Sequence, residues 1–330
     1  MTTMKEKILQ RLLEAKGNAI SGQTLADEFE ISRTAVWKHM QALEQQGYTI
    51  ETVKKKGYVL TNTVDRLSAA SVAMHLETAR YGQSYYHFEE LTTTQAIAHE
   101  QVRAGAPDGT VIVAEHQTAG KGRMLREWSS SNGKGIWMTL LIRPEIPPHQ
   151  APQFTLVAAV AVVNAIKALY PSVDARIKWP NDILINGKKC TGILTEMVAE
   201  ADRVEAILIG IGINVNQRME DFPNDLQTIA TSLSIVIGEH IDRAVLLAKV
   251  LFYMEHYCDI YVKYGFARLK ELWEEASITI GHRVRATTLR EVIEGTAIGI
   301  TEFGVLQIKS DKGEIVDVYS ADIELLNNHL

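Results

Sequence analysis

Residues 154–169 read FTLVAAVAVVNAIKAL, apolar on nearly every face of a helix. A helix with a single apolar stripe can lie on a surface, whereas one that is apolar all round must be enclosed. Asn164 and Lys167 interrupt the run before it could span a bilayer, so it is expected to be a buried helix of a soluble core. The surrounding sequence supplies the layers to bury it. GTVIVAEH, GIWMTLLIRP, ARIKW, DILI, TGILTEMV and RVEAILIGIGINV read as strands bounded by polar turns. TTTQAIAHEQVRAG, AVLLAKVLFYMEHYCDIYVKY and FARLKELWEEA read as helices. A mixed sheet covered by helices follows, an α+β arrangement. At 330 residues the chain is longer than most single domains, so two or three are expected.

The first 65 residues carry a different pattern. MKEKILQRLLEAKG puts Ile8, Leu9, Leu12 and Leu13 on one helical face and stops at Gly17. SGQTLADEFE is a short second helix, and Ser32 is placed to cap a third, RTAVWKHMQALEQQG, which buries Val36, Met40 and Leu43. Arg33, Thr34, Trp37 and Lys38 are left outward at the front of that helix. YTIETVKKKGYVL then alternates like a hairpin, with Lys54, Lys55 and Lys56 at its tip. Cations beside the N-terminal turns of a second helix suit a recognition helix in a major groove flanked by phosphate contacts. Residues 1–66 hold ten Lys/Arg against eight Asp/Glu, a net +2, and the remainder carries −8 of the total −6. That asymmetry is mild, so the local clustering of the cations matters more than the balance. A boundary is expected near Asp65.

A second basic stretch, GKGRMLREW from Gly120 to Trp128, follows a strand. Glycines permit close backbone approach to a ligand, and Lys121, Arg123 and Arg126 suit phosphate or carboxylate. The stretch is not a dinucleotide fingerprint, since Leu125 stands at the third glycine position and a polar loop and a strand follow instead of a helix. No G-x-x-x-x-G-K-[ST] occurs, so a P-loop is excluded. A long, mobile, cationic flap between two strands is expected. KWPND, with Asn181 and Asp182, reads as a turn at a strand end. INGKKCTGILTEM reads as a hairpin turning at Asn186–Gly187, with Lys189 beyond the turn and Gly192 marking a close approach. Gly210 and Gly212 similarly thin the strand beside Asn214.

Taken in order, TTTQ, EHQTAGKGR…REW, KWPNDILINGKKCTGIL and GIGINVN behind a helix-turn-helix resemble the bifunctional biotin–protein ligase and biotin operon repressor family across essentially the whole chain. The resemblance implies a winged helix-turn-helix over residues 1–65, and a catalytic domain like that of class II aminoacyl-tRNA synthetases over 66–275. It implies an SH3-like barrel over 276–330, matching short strands punctuated by Gly295, Gly304 and Gly313. It implies ATP and biotin as substrates, with Mg²⁺ carried by the nucleotide. Thr93, Thr94, Gln95 and Gln117 match positions that bind biotin, and so do Lys121, Gly122, Arg123, Trp128, Lys189 and Gly192. The resemblance gives Lys189, Arg123 and Lys121 the catalytic roles as an expectation, and Asn181, Asp182 and Asn214 match the ATP side. Arg33, Thr34, Trp37, Lys38 and Lys54, Lys55 and Lys56 are the expected DNA-binding set. Some relatives run G-R-G-R-R-G through the flap; with Leu125 in place of the last glycine, a stiffer flap is expected.

The implied partners are biotin carboxyl carrier domains of biotin-dependent carboxylases, operator DNA, and a second copy of the chain once biotinyl-AMP is bound, with no membrane. Ten histidines are scattered without H-E-x-x-H, and the two cysteines form no cluster, so no protein-held metal is expected. Two cysteines cannot build a disulfide framework either, and MTTMKEKILQ lacks a signal-peptide core, so a cytoplasmic protein is expected. Two other readings stay open here: a ligand-sensing transcription factor with a degenerate catalytic domain, and a lipoate–protein ligase on the same fold.

Overall fold

The structure is a computed structural model that describes residues 3–15, 17–62, 65–200 and 203–326. Thr3 opens α1 (Met4–Glu14) with a capping box: its side chain accepts from the Glu6 amide, and the Glu6 carboxylate accepts from the Thr3 amide. Ser21 and Ser32 cap α2 (Gly22–Glu28) and α3 (Arg33–Gln45). β1 (Thr49–Val53) and β2 (Gly57–Asn62) form an antiparallel hairpin with Lys54, Lys55 and Lys56 between them. The hairpin is fastened back to the α1–α2 connection by paired amide bonds between Ile20 and Tyr58. Gly57 is required there, because a Cβ would sit 2.0 Å from the Ile20 carbonyl oxygen. Ile8, Leu9, Leu25, Val36, Met40 and Leu43 close a core separate from the rest of the molecule.

After α4 (Ala69–Ala73) the chain alternates strands and helices: β3 (Tyr85–Leu91), α5 (Thr94–Arg103), β4 (Thr110–Gln117), β5 (Gly135–Ile142), α6 (Gln153–Leu169). Then come β6 (Ala175–Lys178), β7 (Asp182–Ile185), β8 (Lys188–Glu200) and β9 (Arg203–Asn214). The helices α7 (Leu233–Ile237), α8 (Arg243–Tyr264) and α9 (Ala267–Ala276) complete the layer. The seven strands order as β3-β4-β5-β9-β8-β7-β6, with only β3 and β4 parallel. The β7–β8 turn has Asn186 and Gly187 at φ 51° and 74°, the left-handed pair that a two-residue hairpin turn needs.

α5 covers one face through Ala98 and Val102 against Ile112, Leu141 and Leu208. The other face takes α6, which packs against α8 and α9 in turn. Phe154, Val157, Val160, Ala161 and Ile166 of α6 are all fully buried. Among the described residues, Pro148–Leu169 is the one stretch long and apolar enough to cross a membrane, and the protein core encloses most of it. Its polar interruption, Asn164, is satisfied within the helix by donating to the Val160 carbonyl at 2.9 Å. Cys190 and Cys258 are buried and free, and burial pushes each thiol up to about 12, which makes them inert.

β10 (Arg283–Thr287), β11 (Val292–Ile300), β12 (Leu306–Ser310), β13 (Ile315–Val318) and β14 (Asp322–Leu325) form an antiparallel sheet in the order β13-β12-β11-β10-β14. Its inner residues Val284, Ala286, Ala297 and Ile308 join the same core as α6. Gly304 and Gly313 turn at φ 79° and 86°. Gly295 differs: it lies inside β11, where a Cβ would come 2.3 Å from the Lys309 carbonyl oxygen.

Arg243, at the start of α8, is fully buried. It donates to Asp65 at 2.9 Å, to Glu115 at 2.8 Å and to the Gly135 carbonyl at 3.0 Å. Asp65 also accepts from Asn216 at 2.9 Å, so the segment leaving the N-terminal core is tied to the sheet by charge.

Candidate active site

Strands β8 and β9 pass each other with Gly192 directly opposite Gly212. Two glycines in register strip one patch of the sheet of side chains and leave a trough. The Trp128 ring lies in it: a Cβ at Gly192 would be 2.7 Å from the ring, and one at Gly212 2.6 Å. Trp137 meets Trp128 edge-on with centroids 6.3 Å apart. Around this floor opens a cavity of about 320 Å³. All thirteen residues expected to meet the two small ligands line it.

One wall is the start of α5. Thr93 caps the helix by accepting from Ala96 at 3.0 Å, and Thr94 donates its amide to Gln117 Oε1 at 2.8 Å. Gln117 in turn donates to Ser130 Oγ at 3.1 Å. Gln95 donates to the Leu194 carbonyl, yet its Oε1 is buried without a partner, and so is Trp128 Nε1. A buried polar group left unpaired is costly, and a bound molecule is one way to satisfy it.

The roof is the glycine flap, and it has more structure than a connector. Lys121 bridges to Glu127, Gly122 donates its amide to Arg126 O at 2.8 Å, and Trp128 donates its amide to Gly120 O at 2.9 Å. Arg123–Leu125 forms one 3₁₀ turn in which Met124 and Leu125 sit at φ 54° and 60°. Leu125 thus occupies a left-handed conformation that a glycine would adopt without cost. Arg123 donates to Asn181 Oδ1 at 3.2 Å and to Ser320 Oγ at 2.7 Å, and Arg126 pairs with Asp322. Burial lowers the Arg123 pKa, against the opposing charges of Asp322 and Asp182.

The opposite wall comes from the KWPND turn, whose Trp179–Pro180 peptide is cis. Trp179 donates its amide to Thr279 at 2.9 Å and its indole N–H to the Gly304 carbonyl at 3.2 Å. Asn181 donates to the Ile193 carbonyl at 2.9 Å. Lys189 Nζ lies 2.8 Å from Asp182 Oδ1, close enough for an ion pair but off-line for a hydrogen bond. The same ammonium stands 5.3 Å from the Trp128 ring centroid. Asn214 donates to the Thr231 carbonyl at 3.1 Å and accepts from Gln217 at 3.2 Å. Burial also lowers the Lys178 pKa beside this wall.

Sequence reasoning did not assign Ser320 and Asp322 to the site, nor the apolar wall of Phe222, Leu226, Ile229 and Ala230. Those residues come from an irregular segment and a distant sheet turn, and no local pattern marks them. Arg126 stood out as a cation but not as a contact. Outside the cavity lining, Arg33, Thr34, Trp37 and Lys38 are exposed on α3, and Lys54, Lys55 and Lys56 are exposed in the hairpin turn. The two groups share the N-terminal unit and are not part of the cavity.

A model of the biotin/lipoate A/B protein ligase family matches residues 87–214, an HTH domain matches 5–59, and the biotin protein ligase C-terminal domain matches 279–326. The bifunctional ligase/repressor BirA of Bacillus subtilis (strain 168) is 47% identical over 324 residues, which is 98% of this chain and 99% of that protein. The bifunctional ligase/repressor BirA of Escherichia coli (strain K12) is 27% identical over 302 residues, 91% of each chain. Among solved structures, the biotin protein ligase from Aquifex aeolicus in complex with biotin and ATP is similar with a TM-score of 0.64 at 27% identity, covering 74% of this chain and 100% of that one. With a relative this similar over its full length, the chain belongs to the bifunctional ligase/repressor family.

Proposed function

We propose that this protein is an ATP-dependent biotin–protein ligase and also a transcriptional repressor. Biotin's carboxylate oxygen attacks the α-phosphorus of ATP, the bond to pyrophosphate breaks, and biotinyl-5′-AMP forms. The ε-amine of a lysine on a biotin carboxyl carrier domain then attacks the acyl carbon. AMP leaves with the bonding pair, the amine loses a proton, and an amide remains.

The observation that carries this reading is the pairing of a glycine-cleared, tryptophan-filled trough with a cationic roof and an inward lysine in one cavity. Thr93, Thr94, Gln95 and Gln117 hold the ureido ring and carboxylate. The unpaired Gln95 Oε1 is an acceptor suited to a ureido N–H. Trp128 packs against the valeryl tail. Lys121 and Arg123 neutralise the phosphate, while Lys189 bridges carboxylate and phosphoryl oxygens where negative charge builds. Asn181, Asp182 and Asn214 serve the ATP side, with Phe222 and Ile229 against the base. A roof that excludes water also protects an anhydride that would otherwise hydrolyse.

Mg²⁺ fits this site only as a companion of ATP. Among the described residues no group of three or more His, Cys, Asp or Glu could hold a metal alone, so phosphate oxygens would provide most of its ligands, with Asp182 of the cavity wall as a carboxylate to join them. When bound it would withdraw charge from the phosphates.

The domain division follows the same reading: a winged helix-turn-helix over 1–65, a class II synthetase-like catalytic domain over 66–275, and an SH3-like barrel over 276–330. Arg33, Thr34, Trp37 and Lys38 read the major groove, and Lys54, Lys55 and Lys56 grip phosphates. With biotinyl-AMP bound, two copies pair, span an operator of two half-sites, and silence genes for biotin synthesis and transport. Carrier domains consume the adenylate and lift repression. The cytoplasm, where these partners meet, is the compartment.

The test is incubation with ATP, a biotin acceptor domain and either biotin or lipoate. A mass gain of one biotinyl group on the acceptor lysine is expected, with none from lipoate. Labelling by lipoate alone, or biotin binding without labelling, would contradict the reading.

A further inference from the structure

The flap is fastened at both ends, but to different parts of the molecule. Trp128 seats its far end on the central sheet through Gly192 and Gly212. Its tip is fastened to the C-terminal sheet: Arg123 donates to Ser320 Oγ at 2.7 Å, and Arg126 pairs with Asp322. Ser320 and Asp322 flank Ala321, which is buried with 4% exposure, so the two polar side chains leave the β13–β14 turn on the same side. That turn is rigidly held, since Asp322 pairs with Thr287 in the ladder of β14 with β10.

The tip needs such a tie. Met124 and Leu125 adopt consecutive left-handed conformations, which side-chain-bearing residues adopt only under constraint. Both side chains are exposed, at 58% and 83%, so no packing of their own holds them there. The constraint has to come from the neighbours on either side, and these are Arg123 and Arg126.

We propose that Asp322 and Ser320 are positioning residues for the ligase reaction: the C-terminal sheet is the catch that keeps the flap's guanidinium groups over the cavity. The proposal rests on the assignment of this cavity to biotin and ATP. Asp322 fixes Arg126, and Ser320 shares Arg123 with Asn181, so Arg123 is aimed before an anion arrives and can exchange the serine for a phosphoryl oxygen. The opposing charge of Asp322 also offsets part of the cost of burying the Arg123 guanidinium. The C-terminal domain thereby acts on adenylate retention without contributing a group to the chemical step.

The experiment uses the full chain and two readouts. The first is hydrogen exchange of the amides of residues 120–127 without ligand. The second is the release rate of labelled biotinyl-AMP, formed in place from biotin and ATP. For Asp322→Asn, lid exchange and release should both rise about fivefold, the weight of a partly exposed ion pair, with the melting temperature unchanged. Ser320→Ala should act in the same direction and less strongly. The double variant Arg126→Asp with Asp322→Arg rebuilds the pair with its charges exchanged and should bring both readouts back toward wild type. Unchanged lid exchange in Asp322→Asn, or a double variant no better than the single ones, would overturn the proposal. A wild-type chain that forms no adenylate would instead defeat the functional reading, and the exchange measurement would still decide whether the catch exists.

Discussion

At the scale of single residues, the site is set by what glycine omits. Gly192 and Gly212 were legible as places of close approach because glycine inside a strand gives up packing unless something fills the space. The filler, Trp128, lies 64 residues before the first and 84 before the second, and only the fold brings it there. Gly212→Val should push the ring out of the trough at a cost of about 1–3 kcal/mol, raising the KM for biotin roughly tenfold or more. A steady-state titration of biotin checks this, and an unchanged KM would remove the trough from the site. Lys189 was legible from its motif and stands between Asp182 and Trp128. Lys189→Ala should slow adenylate formation about 10²–10³-fold, the range for removing one preorganised partner of developing charge. A pyrophosphate burst of normal size would rule out that role. Ser320 and Asp322 were not legible, since a serine and an aspartate at a sheet turn look like any solvated turn until Arg123 and Arg126 are seen beside them.

At the scale of elements, helix ends and turns were the readable part. Ser32, Gly47, Asn186 and Gly187 mark boundaries by local chemistry, and local chemistry survives folding. The basic hairpin between β1 and β2 belongs here too. Replacing Lys54, Lys55 and Lys56 with Gln should weaken binding to all DNA sequences alike and reduce the salt slope by about 2 to 3. Operator titrations across ionic strength measure it, and an unchanged slope would take the hairpin off the DNA. The buried cluster that fastens α8 to β4 was not readable, because Asp65, Glu115 and Arg243 are far apart in the chain and each looks like a surface charge. Burial disfavours the Glu115 carboxylate, but His87, Arg243 and the Leu67 amide outweigh it and hold its pKa at about 2, below the ordinary 4.5. Its stabilising contribution is therefore complete above pH 4.5 and is lost as pH falls toward 2. At Asp65 burial outweighs Arg243 and raises the pKa, so that group has the opposite slope above 3.8. Glu115→Gln should cost on the order of 3 kcal/mol at neutral pH and flatten the acid limb of denaturant-melting stability. An acid limb as steep as wild type would show that the cluster does not set it.

At the scale of the whole molecule, the central and C-terminal sheets meet at one cavity, and the N-terminal unit stands outside it. The mostly apolar α6 required a layered core, and the chain built one that also takes in the inner face of the C-terminal sheet. That continuity lets a turn of the last sheet reach the flap. The N-terminal unit keeps its own core, and its exit is tied through Asp65 to Asn216, two residues from Asn214 in the cavity wall. The proposed pairing of two copies could shift only as far as the adenylate prefers the paired state. The central claim, that a cationic flap closes on biotinyl-AMP between the two sheets, is tested most directly by a crystal structure with that compound bound. The bound phosphate should lie about 2.7–2.9 Å from Arg123 and Lys189 nitrogens, with the biotin bicycle against Gln95 and its tail against the Trp128 ring. A flap that stays away from the compound, or a phosphate bound by neither cation, would contradict it.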